Sequence, residues 1–254
     1  MLNFILKSIK IVVILSLMTC FIGISGYSFH QAFISRNYNV QIFTHHVVKQ
    51  KTFIKNNKTV ILLGMIHLGE ESFYNKIRED FSGGKFLALT EGVSDQGNLV
   101  SSSMEYTGIA QLVGLKMQPK DLFSREKKAD LDVKDLDPNF IKKMEKFFAL
   151  VNKIQEATAQ DLENLPEISE EEFVREAQDK RNEKLKKVFL KTVENEDFIV
   201  IPWGSAHMID MENFLLAQGY RQKEVKFRPA INVPYTLGYF VINNTSLLYL
   251  LKHL

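Results

Sequence analysis

Thr59-Val60-Ile61-Leu62-Leu63 leads directly into Gly64-Met65-Ile66-His67, and the fold turns on how these nine residues are read. An unbroken apolar and β-branched run closed by glycine leaves no side for solvent, so it describes a strand buried on both faces of a sheet. Upstream, Lys55-Asn56-Asn57-Lys58 reads as a turn, with Val47 to Ile54 and Val40 to Phe43 as short strands before it. Downstream, Phe73, Ile77 and Phe81 share one face of a helix over Glu70 to Phe81, stopped by Gly83-Gly84. Lys85 to Thr90 is the next buried strand, completing a strand-helix-strand unit.

Asp137-Pro138 has the form of a helix cap with proline in the first turn, followed by Phe140, Ile141, Met144, Phe147, Phe148, Val151 and Ile154 at helical spacing. A second long helix is expected from Ser169, where Glu172 completes a capping box, to about Val193. Asp197 to Trp203 reads as a strand, Met211 to Gln218 as a helix ended by Gly219, and Glu224 to Phe227 as a strand. This order predicts an α/β fold, a mixed central sheet flanked by helices, with a helical insertion over about 100–195.

The chain has 254 residues, enough for one principal core, and 45% of them are hydrophobic, which excludes a wholly disordered chain. Its 32 basic and 30 acidic residues leave a net charge of +2, so nothing global argues for a nucleic-acid partner. The apolar content is unevenly spread. Ile11 to Phe29 carries no charged residue and is preceded by Lys7 and Lys10, the form of a secretory signal or an N-terminal membrane anchor. Small residues at Gly23, Ser25, Gly26 and Ser28 suit a signal peptidase, whereas the uninterrupted apolar length suits an anchor. Residues 1–35 are therefore read as an apolar targeting or anchoring helix and 36–254 as the folded domain, placed outside the cytoplasm by the positive-inside tendency. Cys20, the only cysteine, lies in the apolar run, so the domain has no disulfide and no thiol nucleophile. Tyr235 to Leu254 is apolar but interrupted by Asn243-Asn244-Thr245-Ser246; it reads as a last strand and helix packed on the core, or as an interfacial or partner-binding end.

Two places share one design. Gly64-Met65-Ile66-His67 and Gly204-Ser205-Ala206-His207 each put a histidine three residues after a glycine, just beyond a buried strand. The carboxyl edge of such a sheet is where ligands bind, and glycine permits the sharp exit that turns the next side chains inward. Glu91, in Leu89-Thr90-Glu91-Gly92-Val93, stands at a third strand end. Two imidazoles and a carboxylate converging there make either a divalent-metal site or a metal-free acid/base pair. His45-His46 has no third ligand nearby, and no Gly-x-Ser-x-Gly, phosphate-cradling loop or His-Glu-x-x-His is present. Arg181, among Lys180, Lys184, Lys186 and Lys187, reads from charge alone as part of a solvated helix face.

These residues resemble the TraB/GumN family, which includes pheromone-shutdown proteins and the Tiki proteases, over roughly Lys51 to Arg221. Leu62-Leu63-Gly64-Met65-Ile66-His67 is similar to its first Gly-x-x-His motif and Leu89-Thr90-Glu91 to its glutamate-bearing strand. Gly114-Leu115-Lys116-Met117-Gln118 resembles a Gly-Leu-x-x-Gln segment, Arg181-Asn182 the Arg-Asn of the long helix, and Gly204-Ser205-Ala206-His207 with Gly219-Tyr220 the closing motif. Met65 stands where the family usually has threonine, and Gly92-Val93 replaces an acidic residue often found after the glutamate.

The resemblance implies a fold related to the erythromycin-esterase and ChaN proteins, with His67, Glu91, Arg181 and His207 meeting in one cleft and Arg181 turned inward. It implies a metal-dependent peptidase, here with His67, His207 and Glu91 holding Mn²⁺, Co²⁺ or Zn²⁺, and the N-terminal segment makes it exported or membrane-tethered. Glu91 is alternatively the general base, and Arg181 stabilises an oxyanion or clamps a substrate carboxylate. The competing expectation is a non-enzymatic protein that sequesters a peptide or small ligand in the same cleft. A third is an envelope structural protein with no working site.

Overall fold

The computed structural model describes residues 35–100, 104–153 and 158–236. The expected N-terminal apolar helix and nearly all of the apolar tail lie outside the described residues. Among the described residues no helix is long and apolar enough to cross a membrane.

Strand β1 (Asn39–Ile42) turns into β2 (His45–Lys55), and β3 (Lys58–Met65) follows the Asn56-Asn57 turn. A two-residue strand β4 (Leu68–Gly69) and helix α1 (Glu71–Asp80) lead to β5 (Leu87–Thr90). Next come α2 (Thr107–Val113), β6 (Lys116–Met117), β7 (Glu126–Lys128), α3 (Pro138–Asn152) and α4 (Ala159–Glu163). Helix α5 (Glu170–Phe173) passes through a π-helical stretch, Val174–Asp179, into α6 (Lys180–Val193). Strand β8 (Phe198–Gly204), a 3-10 turn at Ser205–His207, α7 (Met208–Ala217) and β9 (Arg221–Asn232) complete the order.

Seven strands form one mixed sheet. Strands β3, β8, β5 and β7 are mutually parallel, so their carboxyl ends share one edge. Strand β9 lines one side of β2 along its length, while β3 and then β1 share the other, which sets β1 in line with β3 beyond its carboxyl end. The core has two halves, as a sheet covered on both faces requires. Phe53, Leu62, Ile201, Trp203, Leu185, Phe189 and Leu215 pack on the face covered by α6 and α7. On the other face Leu63, Met65, Phe73, Ile77, Phe86 and Val200 pack beneath α1.

The mixed α/β sheet flanked by helices is as expected, and three details differ. The insertion is not purely helical, because β7 joins the main sheet beside β5 and β6 pairs with β4. All three β7 residues are exposed, so no apolar pattern marks that strand. Strand β9 runs past Phe227 to Asn232 through Pro229, tolerated because β9 is an edge strand and the β2–β9 register shifts at His46/Val47, next to the Val47–Pro229 pair. The helix from Ser169 carries a π turn, which no 3.6-residue periodicity reveals.

A Cβ on Gly64 would lie 3.0 Å from Ser205 Oγ, 3.1 Å from Tyr38 Cβ and 3.2 Å from the Lys49 carbonyl oxygen. The last of these is backbone held in the ladder, so Gly64→Ala is expected to lose about 1–3 kcal/mol through overpacking, measured as a lower urea midpoint at unchanged slope.

Candidate functional site

Four side chains converge on the carboxyl edge of the parallel strands. Glu91 follows β5, Asp130 follows β7, His207 closes the turn after β8, and Arg181 reaches down from the first turn of α6. Arg181 Nη2 donates to Glu91 Oε1 at 2.7 Å and to Asp130 Oδ2 at 2.6 Å, and its Nε donates to Asp130 Oδ1 at 3.0 Å. A longer bond runs from Nη1 to the Ala177 carbonyl at 3.4 Å. Four of the five guanidinium N–H groups are thus engaged within the protein. Its side chain is 15% exposed, against 7% for Glu91 and 0% for Asp130. Arg181 therefore faces inward, as the resemblance implies, and is no part of a solvated face.

The backbone shapes the cluster. Gly92, at φ +138, donates its N–H to Asp130 Oδ2 at 2.9 Å, a conformation that side-chain-bearing residues rarely adopt. The Leu131 N–H donates to Asp130 Oδ1 at 2.8 Å. Gly204 donates its N–H to Glu91 Oε2 at 2.5 Å, and a Cβ there would stand 3.3 Å from that oxygen. Trp203 is fully buried beneath the cluster; its Nε1–H donates to the Leu89 carbonyl at 3.0 Å, with the Arg181 guanidinium 5.5 Å above the ring and His207 edge-on at 5.1 Å. Ser205 Oγ donates to the Met65 carbonyl at 3.2 Å, tying the two Gly-x-x-His strand ends together.

His207 is buried with its Nδ1 2.7 Å from Asn182 Oδ1. With the Asn182 amide in this orientation the neutral ring that bonds it carries its proton on Nδ1 and its lone pair on Nε2, which lies 3.7 Å from Glu91 Oε1. Burial lowers the His207 pKa below that of a free imidazole, against the pull of Glu91, while the charges of Arg181 and His67 add to the lowering. The ring is neutral at neutral pH. Burial also works against the charge on Arg181, yet its bonds to Asp130 and the charges of Glu91 and Asp130 outweigh it and hold the group above its ordinary value. For Asp130, burial would raise the carboxyl, but the Arg181 bonds and charge keep it low.

His67 lies at the edge of this group, where its charge acts on His207. It is exposed on the rim, stacked on Tyr106 with ring centroids 5.5 Å apart, while its carbonyl accepts the Gln118 N–H at 2.9 Å. Tyr106 packs edge-on to Phe148 of α3, so a helix of the insertion supports the ring on which His67 stacks. Among the described residues no three His, Cys, Asp or Glu side chains gather as a metal-holding group. Glu91 has a guanidinium nitrogen at 2.7 Å on Oε1 and a backbone N–H on Oε2. An ion held by His67, His207 and Glu91 would have to share the Glu91 carboxylate with Arg181 and Gly204.

No family model, curated protein or solved structure matches the chain.

Asp130, Asn182 and Tyr106 belong to the site without having been singled out as functional residues. Asp130 is hidden in the mixed-charge run Lys127-Lys128-Ala129-Asp130-Leu131-Asp132, and only its place after a parallel strand marks it. Asn182 follows Arg181, so a pair of neighbours on one helix serves two partners. Tyr106 lies in a stretch without periodicity.

Two outcomes follow for stability. Asp130→Asn leaves Arg181 paired with Glu91 but loses charge-assisted hydrogen bonds, and is expected to destabilise by about 1–3 kcal/mol in urea unfolding. Because the folded-state pKa of His207 is depressed, the unfolded chain binds the extra proton first, and its contribution is lost as pH falls through the folded value. Unfolding free energy is therefore expected to drop on acidification below about pH 6.5, and His207→Gln is expected to flatten that slope.

Proposed function

We propose that this protein is an exported or membrane-tethered hydrolase of the TraB/GumN type, cleaving peptide amides in the cleft at the carboxyl edge of its sheet. The observation that carries the reading is His207: a buried, neutral imidazole bonded at Nδ1 to Asn182, with a carboxylate 3.7 Å from Nε2 that favours the protonated form. That is how a general base is prepared. A water at the mouth gives its proton to Nε2 as it attacks the substrate carbonyl. The imidazolium then formed is stabilised by Glu91 at 3.7 Å and returns the proton to the leaving nitrogen. Arg181 acts as a positioning residue, holding Glu91 against Gly204 and His207. His67, on the rim beside Tyr106, is the polar group presented to an arriving substrate. The chemistry carried by the chain's own groups is proton transfer, and no step is routed through a metal.

A second reading, the sequestering protein that holds a peptide or small ligand in the same cleft, is favoured by one observation. Glu91, Asp130 and Arg181 are so fully paired with one another that little besides His207 Nε2 and His67 is left to act on a substrate.

Peptide-library cleavage by the purified full-length chain, followed by mass spectrometry of products, separates the two. His207→Gln is expected to lower kcat/KM by about 10²–10⁴-fold while circular dichroism stays unchanged. Undiminished cleavage by that variant and by Glu91→Gln would sink the assignment of this cleft, and peptide retained without turnover by the wild type would favour sequestration. In a metal titration the wild type and the His67→Ala/His207→Ala double variant are expected to bind Mn²⁺, Co²⁺ and Zn²⁺ equally weakly. Tight binding lost in the double variant would restore the three-ligand site.

A further inference from the structure

We infer that the sheet edge carrying the cleft faces a lipid bilayer and touches it through Phe43, Leu99 and Tyr235; this rests on the membrane-tethered form of the proposed function. Two independent features of the chain point there. The first is where the described domain begins and ends. The Ser35 carbonyl accepts a bond from Lys49 Nζ at 2.5 Å, and the Lys49 backbone lies against Gly64, at the carboxyl end of β3. At the other end of the domain, Asn232 pairs with His45 and the Val233 N–H donates to the Thr44 carbonyl at 2.9 Å. His45 is three residues along β2 from Val48, itself paired with Asn39, which carries the β1–β2 tip about 10 Å further in the same direction. Both ends of the domain thus lie toward the edge that holds His207 and Glu91.

Each end continues into apolar sequence. Ile11 to Phe29 has no charged residue, and the six residues from Phe29 to Ser35 reach at most about 22 Å even when fully extended. The sequence from Tyr235 to Leu251 is also without charge. A tethered domain leashed this closely at one edge cannot turn that edge far from the membrane.

The second feature is the placement of exposed apolar side chains. Among the described residues only three large hydrophobics are more than half exposed: Tyr235 at 65%, Leu99 at 57% and Phe43 at 54%. All three belong to loops or ends at the carboxyl edge. Phe43 is at the β1–β2 tip, Leu99 in the loop after β5, and Tyr235 just beyond β9. Leu99 is held out by its own loop, since Asp95 accepts the Leu99 and Val100 N–H groups at 2.8 and 3.0 Å. Aromatic and leucine side chains standing at one edge are what an interfacial contact with lipid uses.

The test uses the full chain with Cys20→Ser, carrying Phe43→Cys, Leu99→Cys or Tyr235→Cys one at a time, each labelled with a polarity-sensitive fluorophore. Asn57→Cys and Asn195→Cys, in exposed turns at the opposite edge, serve as controls. Each protein is reconstituted with phosphatidylcholine–phosphatidylglycerol vesicles containing doxyl-labelled lipid. Flotation with the vesicles and about a twofold loss of emission at 43, 99 and 235, beside unquenched 57 and 195, is expected. Flotation with quenching equal at all five positions, or confined to 57 and 195, overturns the orientation and leaves the tether standing. Emission changes that need no lipid and accompany crosslinked dimers overturn it in favour of a second copy at that edge. Protein that does not float overturns orientation and tether together, while cleavage in solution reports separately on the hydrolase.

Discussion

The site depends on one guanidinium. Arg181 is the single cation between the buried carboxylates of Glu91 and Asp130, and each comes from a different strand end. Burying that much charge is unfavourable unless almost every lone pair and N–H finds a partner, and here nearly all do. Glu91 takes the Gly204 N–H, Asp130 takes those of Gly92 and Leu131, and Trp203 provides a ring beneath the cation. The same bonds tie the insertion to the sheet, because Asp130 and Arg181 both belong to the segment between β5 and β8. A fold element and a chemical element are therefore one object: loosening the ion cluster would free the insertion and release Glu91 from His207 at once.

Elsewhere the polar interior of β2 serves packing. Lys51 meets Glu212 of α7 at 2.7 Å, and Arg228 of β9 bonds Gln50 and the Asp80 carboxylate at the end of α1. These contacts fix the two helical layers to β2 on opposite faces, the job that leucine and phenylalanine do around β3 and β8. Near the cleft, burial sets the protonation state of His207 against the pull of Glu91.

Much of this was readable in the sequence, and the limits have physical causes. Val60 to Leu63 and Ile199 to Ile201 are apolar on both faces because they lie inside the sheet, so their strands and the cleft edge beyond them could be found from pattern alone. Gly64 and Gly204 mark tight approaches, and Glu91, His207 and the inward Arg181 meet where the motifs place them. His67 is exposed and stacks on Tyr106 instead, since a Gly-x-x-His spacing fixes a strand exit but not the rotamer or loop path after it. Asp130 escaped because β7 is an exposed edge strand written in charged residues, and its partner is 51 positions away. The length of β9 escaped because proline is an obstacle only where both sides of a strand are paired.

The π-helical stretch Val174–Asp179 sets the phase of the helix that follows. A π turn inserts one residue into a helix, and each residue of an α-helix turns the chain through about 100°. Glu176, inside it, accepts the Asp137 N–H at the start of α3 as well as Arg175 and Lys180, so the bulge is clamped from both sides. Arg181 and Asn182 thus owe their direction to a counting irregularity upstream. Shortening this stretch by one residue would leave every functional side chain in the sequence, yet it would swing Arg181 off Asp130 and Asn182 off His207, emptying the cleft of its chemistry without touching a residue that lines it.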